Sequence, residues 1–346
     1  MLNKLDNAFL EFFEGQKEIK EKSARDFYNS FDKETLKGII LRYYVLSDSD
    51  KDLIEFSKYN AKKSEMVDFI CDNLEEILKS CIINLDMKTC ENLLDITSKK
   101  GVRMYDDFRY RPLFSLIDLH IGYVKYDKKL TKFLIFIPEE SRKLINKILK
   151  DDDILECIKD NENLGSILLG IMSTYGVMTV DDLSNLLGMD DKYLLDCIYK
   201  RKLTDGCFEL ALTEDDVLVG VIGLDEKFML NLNEEHKKYK IRKYSLDDYK
   251  KIDNGNYVEE LKSYKKLKKY LIDYYSFDNS DIILFRDFIV LNFITNSEQR
   301  EYDPVESLHN DLLDFIEKDE VEYKKIEKMI KDIYKEYPKW EKFGNV

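Results

Sequence analysis

Between His236 and Tyr270 the chain sets basic residues beside tyrosines. The run HKKYKIRKYSLDDYKKIDNGNYVEELKSYKKLKKY carries twelve Lys and Arg against five Asp and Glu, a local net charge of +7. Ammonium and guanidinium groups hold phosphate oxygens and phenol rings stack on bases, so this composition has the chemistry of single-strand or RNA binding. A solvated amphipathic helix has the same spacing, and tyrosine is common throughout, with 23 in the chain. The densest part is Lys237, Lys238, Lys240, Arg242 and Lys243. A second basic set runs from Arg103, Arg109 and Arg111 to Lys125, Lys128, Lys129 and Lys132, the last four around a turn that also holds Asp127. Lysines there suit phosphate contact; equally, they keep a strand edge from pairing with another chain.

Residues for catalysis are not arranged in this way. The sequence contains no GxxxxGK[ST], GxSxG, HExxH or GxGxxG. His120 sits in the apolar run LIDLHIGYV and reads as a partly buried, satisfied histidine of a helix. The acidic clusters Asp151-Asp152-Asp153 and Glu214-Asp215-Asp216 have no partner motif and read as charged loops. The six cysteines (Cys71, Cys81, Cys90, Cys157, Cys197 and Cys207) form no CxxC and lie apart from the three histidines. Free thiols are expected, with no metal and no cofactor.

One stretch looks built to enter a DNA groove. MTVDDLSNLLGMDDKYLLDCIYKRKL, residues 178–203, reads as a helix-turn-helix: Thr179 caps the first helix, Gly188 makes the turn and Asp190 caps the next. The groove helix would offer Lys192, Lys200, Arg201 and Lys202. A groove helix presents contacts from its N-terminal half, and here that half opens with Asp190-Asp191. The following wing tip, Thr213 to Asp216, would set three carboxylates against phosphate. Protein contact therefore fits this unit better than direct DNA reading.

A chain of 346 residues suffices for two or three cores, and only 4 Pro and 13 Gly leave few linkers. Helical periodicity dominates. Met66 to Cys81 reads as one amphipathic helix with Ser64 as its cap, preceded by a helix over KETLKGIILRYYVL. Two β-rich segments, 121–138 and 207–222, each read as an antiparallel hairpin after two or three helices. The expected fold is mainly α: a multi-domain helical protein with two winged-helix-like (α+β) units. Its divisions are a helical domain at 1–84, a first winged-helix-like unit with the following helix at 85–160, a second such unit at 161–235 and a helical domain at 236–346. The N-terminal stretch has acids within its apolar run and no small-residue cleavage site, so no signal peptide is expected. No run of about 18 apolar residues is present, and a cytoplasmic protein without membrane association is expected.

Three short pieces, STYGVMTVDDLSNLL, YKIRKYSLDDYKKI and the ending YKEYPKWEKFGNV, resemble a group of Firmicute proteins, many of which end in a Cys-rich SEC-C tail. The resemblance spans roughly residues 85–346. This chain lacks the tail, since nothing after Cys207 is a cysteine, and with it the metal-binding role the tail implies. Around SKYNAKKSEMVDFI the helical hairpin is similar to the N-terminal module of transcription termination factor Rho and to SAP-type modules.

With 55 Lys and Arg against 69 Asp and Glu, the net charge is −14. That sign opposes attraction of the whole surface to nucleic acid or anionic lipid and leaves room for a local basic patch. The expected role is non-enzymatic regulation by macromolecular binding. The favoured ligand is nucleic acid, held by residues 103–132 and 236–269. The alternative is a phage or mobile-element inhibitor that turns an acidic surface to a basic protein partner.

Overall fold

The computed structural model describes residues 23–47, 61–98, 103–105, 117–127, 129, 132–204, 210–215, 217–221, 224–298 and 320–346. Over these residues the chain is mainly helical, with two small three-stranded sheets. It divides into two compact units, Met1–Glu162 with Cys197–Phe208, and Asn163–Asp196 with Glu209–Val346.

In the first unit, α1 (Ala24–Asn29) and α2 (Lys33–Leu46) start on side-chain caps. Ser23 Oγ accepts the Asp26 N–H, and the Asp32 carboxylate accepts that of Thr35. The stretch expected as one helix from Met66 to Cys81 is two, α3 (Lys63–Asp72) and α4 (Leu74–Ile82). Asn73 leaves the helical region at φ −107, ψ 17, and its side-chain amide bonds the Phe69 carbonyl. Nor does Ser64 cap this pair: the helix begins at Lys63, and Glu65 reaches back to the Lys62 N–H at 2.7 Å. Of the stretch behind the Rho-like and SAP-like reading, residues 48–60 lie outside the described residues. After α5 (Met87–Ser98) come β1 (Arg103–Tyr105), β2 (Tyr123–Asp127), β3 (Lys132–Phe136) and α6 (Glu139–Ile148). Phe27, Leu36, Ile70, Leu93, Val124, Ile135 and Ile145 share one buried cluster. Each contributes roughly 1.5–3 kcal/mol by leaving water.

The hairpin expected at 121–138 is present, with Asp127 opposite Lys132 and Tyr123 opposite Phe136. A third strand, not anticipated, completes the sheet: β1 pairs with β3, Arg103 opposite Ile135, giving the order β1-β3-β2.

Helix α7 (Asp152–Tyr175) runs unbroken through residues 160 and 161, where the sequence suggests a division between two domains. The expected charged loop at Asp151–Asp153 is instead this helix's start. Asp151 accepts the N–H groups of Asp153 and Ile154, and the next two aspartates lie in the first turn, where the helix dipole favours them. Then follow β4 (Val177–Thr179), α8 (Val180–Leu187), α9 (Asp191–Thr204), β5 (Leu210–Leu212) and β6 (Leu218–Val221). The caps fall where the sequence puts them. Thr179 accepts the Asp182 N–H, Gly188 closes α8 at φ 68, and Asp190 accepts the N–H groups of Lys192 and Tyr193. The second expected hairpin is β5 with β6, again joined by an unanticipated first strand. The order β4-β6-β5 repeats that of the first sheet.

The second unit continues with α10 (Glu226–His236), α11 (Leu246–Asp253), α12 (Tyr257–Glu260), α13 (Lys262–Tyr275), α14 (Asn279–Glu298) and α15 (Glu320–Glu336). A 3-10 turn, Trp340–Lys342, ends it. Among the described residues no helix is long and apolar enough to cross a membrane.

Candidate nucleic-acid interface

The basic run 237–243 lies between α10 and α11 in a segment without regular structure. Its side chains reach solvent while its backbone is tied down. The Lys240 carbonyl accepts the Asn345 side-chain amide at 2.9 Å, and the Arg242 N–H bonds the Phe343 carbonyl at 3.3 Å. The Arg242 carbonyl accepts the Tyr175 hydroxyl at 2.8 Å, and the Tyr244 hydroxyl donates to the Gly344 carbonyl at 2.8 Å. Two phenols close a relay behind the strap. The Tyr244 N–H donates to Tyr249 Oη at 3.2 Å, and Tyr249 donates to Tyr175 Oη at 2.5 Å, because the single Tyr175 proton is committed to Arg242. Burial pushes the Tyr175 hydroxyl far above the usual phenol range.

Sequence places these partners far apart, and three pieces, STYGVMTVDDLSNLL, YKIRKYSLDDYKKI and YKEYPKWEKFGNV, meet here. Tyr175 and Gly176 come from the first piece, Arg242, Tyr244 and Tyr249 from the second, Trp340, Phe343 and Gly344 from the third. Trp340 is buried, and its indole N–H donates to the Ser173 carbonyl at 2.9 Å. Gly176 has φ 76, and a Cβ there would come within 2.5 Å of the Trp340 ring. The His236 ring stacks on Phe343, with centroids 4.3 Å apart and planes 9° apart, and its Nε2 lies 2.7 Å from the Trp340 carbonyl. That carbonyl only accepts, so Nε2 carries the proton. Burial lowers the His236 pKa to about 4 in spite of this bond. The residues that fix the strap thus lie outside the basic run itself. Apart from the alternation of Tyr and Lys, nothing local in the sequence marks them.

The five strap residues differ in their surroundings. Lys237 pairs with Glu234, and Lys238 lies 3.9 Å from Glu235, both one turn back on α10. Lys240, Arg242 and Lys243 are exposed, the Arg242 guanidinium standing 5.1 Å over the Tyr244 ring. The tyrosines do not make one stacking platform. Tyr249 (0% exposed) and Tyr264 (1%) are core residues, whereas Tyr239 keeps 43% of its surface.

The first hairpin holds its lysines differently. Lys125 faces Leu134 across the strands, and Lys132 faces Asp127, so part of the positive charge meets a carboxylate. Lys129 is exposed at the turn, its N–H bonded to Asp127 at 2.8 Å. Lys128, Arg109 and Arg111 lie outside the described residues, as do Cys207 and Asp216. The other five cysteines are free thiols, and burial pushes Cys81 and Cys90 up to about 12. His120 does not continue a helix: it follows the helical turn at φ 54, edge-on to Phe31. Burial, with the Arg42 cation nearby, lowers its pKa to about 4.

On the expected groove helix α9, Arg201 is withdrawn from any ligand. It is buried, and its guanidinium donates to the Asn161 carbonyl at 2.8 Å. Asp190, Asp191 and Lys192 at the helix start are exposed, as are Glu214 and Asp215 at the tip of the second hairpin. No group of three or more His, Cys, Asp or Glu among the described residues is placed to hold a metal ion. No family model, no curated protein and no solved structure matches the chain.

Proposed function

We propose that this chain is a non-enzymatic nucleic-acid-binding protein that grips the phosphate backbone with Lys240, Arg242 and Lys243. The observation that carries the reading is the pinned strap: three exposed cations on a backbone already ordered by buried groups. Ordering a loop on binding costs affinity, and pre-ordering removes that cost. Arginine adds a bidentate fork suited to phosphate oxygens. The shared strand order of the two sheets, each preceded by helices, supports reading them as winged-helix-like units, with Lys125, Lys129 and Lys132 as an auxiliary phosphate contact. A cytoplasmic regulatory role follows from this reading.

The test is fluorescence anisotropy of labelled duplex and single-stranded oligonucleotides across a salt series. Replacing Lys240, Arg242 and Lys243 together by Glu should weaken binding more than tenfold. It should also flatten the salt dependence on duplex by roughly 0.9 in log–log slope for each phosphate no longer neutralised. Absence of salt-dependent binding by the unaltered chain would remove the reading. The alternative is an inhibitor of a basic protein partner, of the kind a phage or mobile element carries. It draws support from the exposed carboxylates Asp181, Asp182, Asp190, Asp191, Glu214 and Asp215.

A further inference from the structure

Helix α13 presents a row in which Lys262, Lys266, Tyr270 and Tyr274 recur every fourth residue. Side chains at that spacing lie along one face, and the row is about 18 Å long at 1.5 Å per residue. The buried row of the same helix is Tyr264, Leu267 and Leu271, which leaves the first row outward. Lys262, Lys266 and Tyr274 are exposed, and Tyr274 keeps 58% of its surface. Tyr270 and Tyr274 stack on each other, with centroids 5.4 Å apart and planes 16° apart.

Helix α15 lies antiparallel beside this row. Glu336 takes the Ser263 hydroxyl at 2.5 Å at one end. At the other, the Lys325 ammonium stands 4.1 Å from the Tyr270 centroid and 5.9 Å from that of Tyr274. Between these ends, Lys266 of α13 and Lys328 of α15 both act on Asp332, whose carboxylate is held low chiefly by its hydrogen bond to Lys335 at 2.9 Å. Along the strip that acid is engaged, and Asp273 is the single carboxylate of α13.

We infer that the strip formed by Lys262, Lys266, Tyr270, Tyr274, Lys325 and Lys328 is a second binding site, for a short single-stranded nucleic acid whose base stacks on Tyr274. A cation–π clasp between two helices requires one ring, and Tyr270 supplies it. The second ring extends that stack outward and offers an aromatic surface to a planar ligand. Lys266 and Lys262, about 12 and 18 Å of helix rise from that ring, supply phosphate contacts for the neighbouring nucleotides together with Lys325 and Lys328. A duplex keeps its bases paired and cannot use the ring. The inference uses different helices from the strap and does not depend on it.

The test measures binding of the full chain to labelled oligothymidine and to a matched duplex by anisotropy, with thermal melts as a check on folding. Tyr274→Ala removes an exposed side chain and should leave the melt unchanged. It should weaken oligothymidine binding roughly tenfold, within the range one stacked base supplies, and leave duplex binding as it was. Tyr274→Phe should bind like the unaltered chain. Lys266→Ala with Lys328→Ala should lower the single-strand salt slope by roughly 1.4. Charge reversal of the strap should weaken both ligands, so the two sites separate even if one fails. Equal oligothymidine affinity for Tyr274→Ala and the unaltered chain would overturn the inference. So would a chain that ignores oligothymidine and binds a poly-glutamate peptide on the same residues.

Discussion

The two sheets share a strand order and a short hairpin turn, and differ in the charge at the tip and in what lies behind them. Each turn gives one aspartate to geometry. Asp127 accepts the Lys129 N–H, while Asp215 accepts both the Thr213 hydroxyl and the Val217 N–H. Those bonds, the Thr213 hydroxyl first, hold the Asp215 carboxylate below the usual range. The other charged residues make the contrast: Lys129 and Lys132 oppose the aspartate in one tip, and Glu214 adds to it in the other. Behind the sheets the contrast is sharper. Val124 and Ile135 of the first sheet join a large helical core, whereas Val177 and Leu218 of the second join a small cluster with Met229, Leu232 and Trp340. The same topology can thus be cored by a large helical cluster or by a small one that Trp340, from far down the chain, completes.

The strongest way to break this comparison is Trp340→Ala. It should lower the unfolding free energy by about 3–5 kcal/mol, measured by denaturant titration with far-UV circular dichroism. A loss under about 1 kcal/mol would mean that the second sheet does not lean on this ring. Gly176→Ala should follow in size, since a methyl there meets both the positive φ and the indole.

Acid should strike both regions, because each keeps a neutral histidine, the half-buried His120 just before β2 and the buried His236 beside Trp340. Their folded pKa values of about 4 lie below the ordinary 6.5. Between those values the unfolded chain binds more protons, so stability falls as pH drops from about 6.5 towards 4, by on the order of 2–3 kcal/mol per histidine. Above pH 7 neither contributes. Melting temperatures between pH 7 and 5 should decline steadily, and His120→Phe should make the decline shallower. A flat profile across that window would falsify the assignment of both imidazoles as neutral.

The tips sharpen the comparison at lower energies. Lys129→Glu with Lys132→Glu should weaken nucleic-acid binding several-fold and reduce the duplex salt slope by roughly 1.8. Glu214→Lys should strengthen binding slightly, and both are read in the same anisotropy titration. Smallest is the split within the second tip. Asp215→Ala should lower the melting temperature for its missing hydrogen bonds, whereas Glu214→Ala should leave it nearly unchanged. Equal effects in thermal melts would erase the distinction between the geometric and the charged residue.

Both hairpins were legible because Phe133 to Ile137 and Val217 to Ile222 are β-rich runs flanked by polar turns. The strands β1 and β4 were not. Each is three residues long and gains its identity from a partner 28 or more positions away, so no local period announces it. The helix caps at Thr179, Gly188 and Asp190 were readable because their chemistry is local. The division of the tyrosines was half readable. In α13 the helical period alone separates Tyr264 from Tyr270 and Tyr274, whereas nothing near Tyr249 tells that its hydroxyl meets Tyr175. The basic strap was visible as charge. Its rigidity, which depends on Phe343, Gly344 and Asn345, was not.

The indole bond from Trp340 to Ser173 joins positions 167 apart, which gives the second sheet a schedule. Loop closure of that length adds little to the equilibrium cost, but long-range contacts slow folding. On the ribosome the strands through Val221 emerge some 120 residues before the ring that covers them. At roughly 5–20 residues per second that is a wait on the order of ten seconds. Until then Val177 and Leu218 lack their indole cover. The growing chain passes through a stage in which one unit can fold while the other is a target for chaperones and for aggregation.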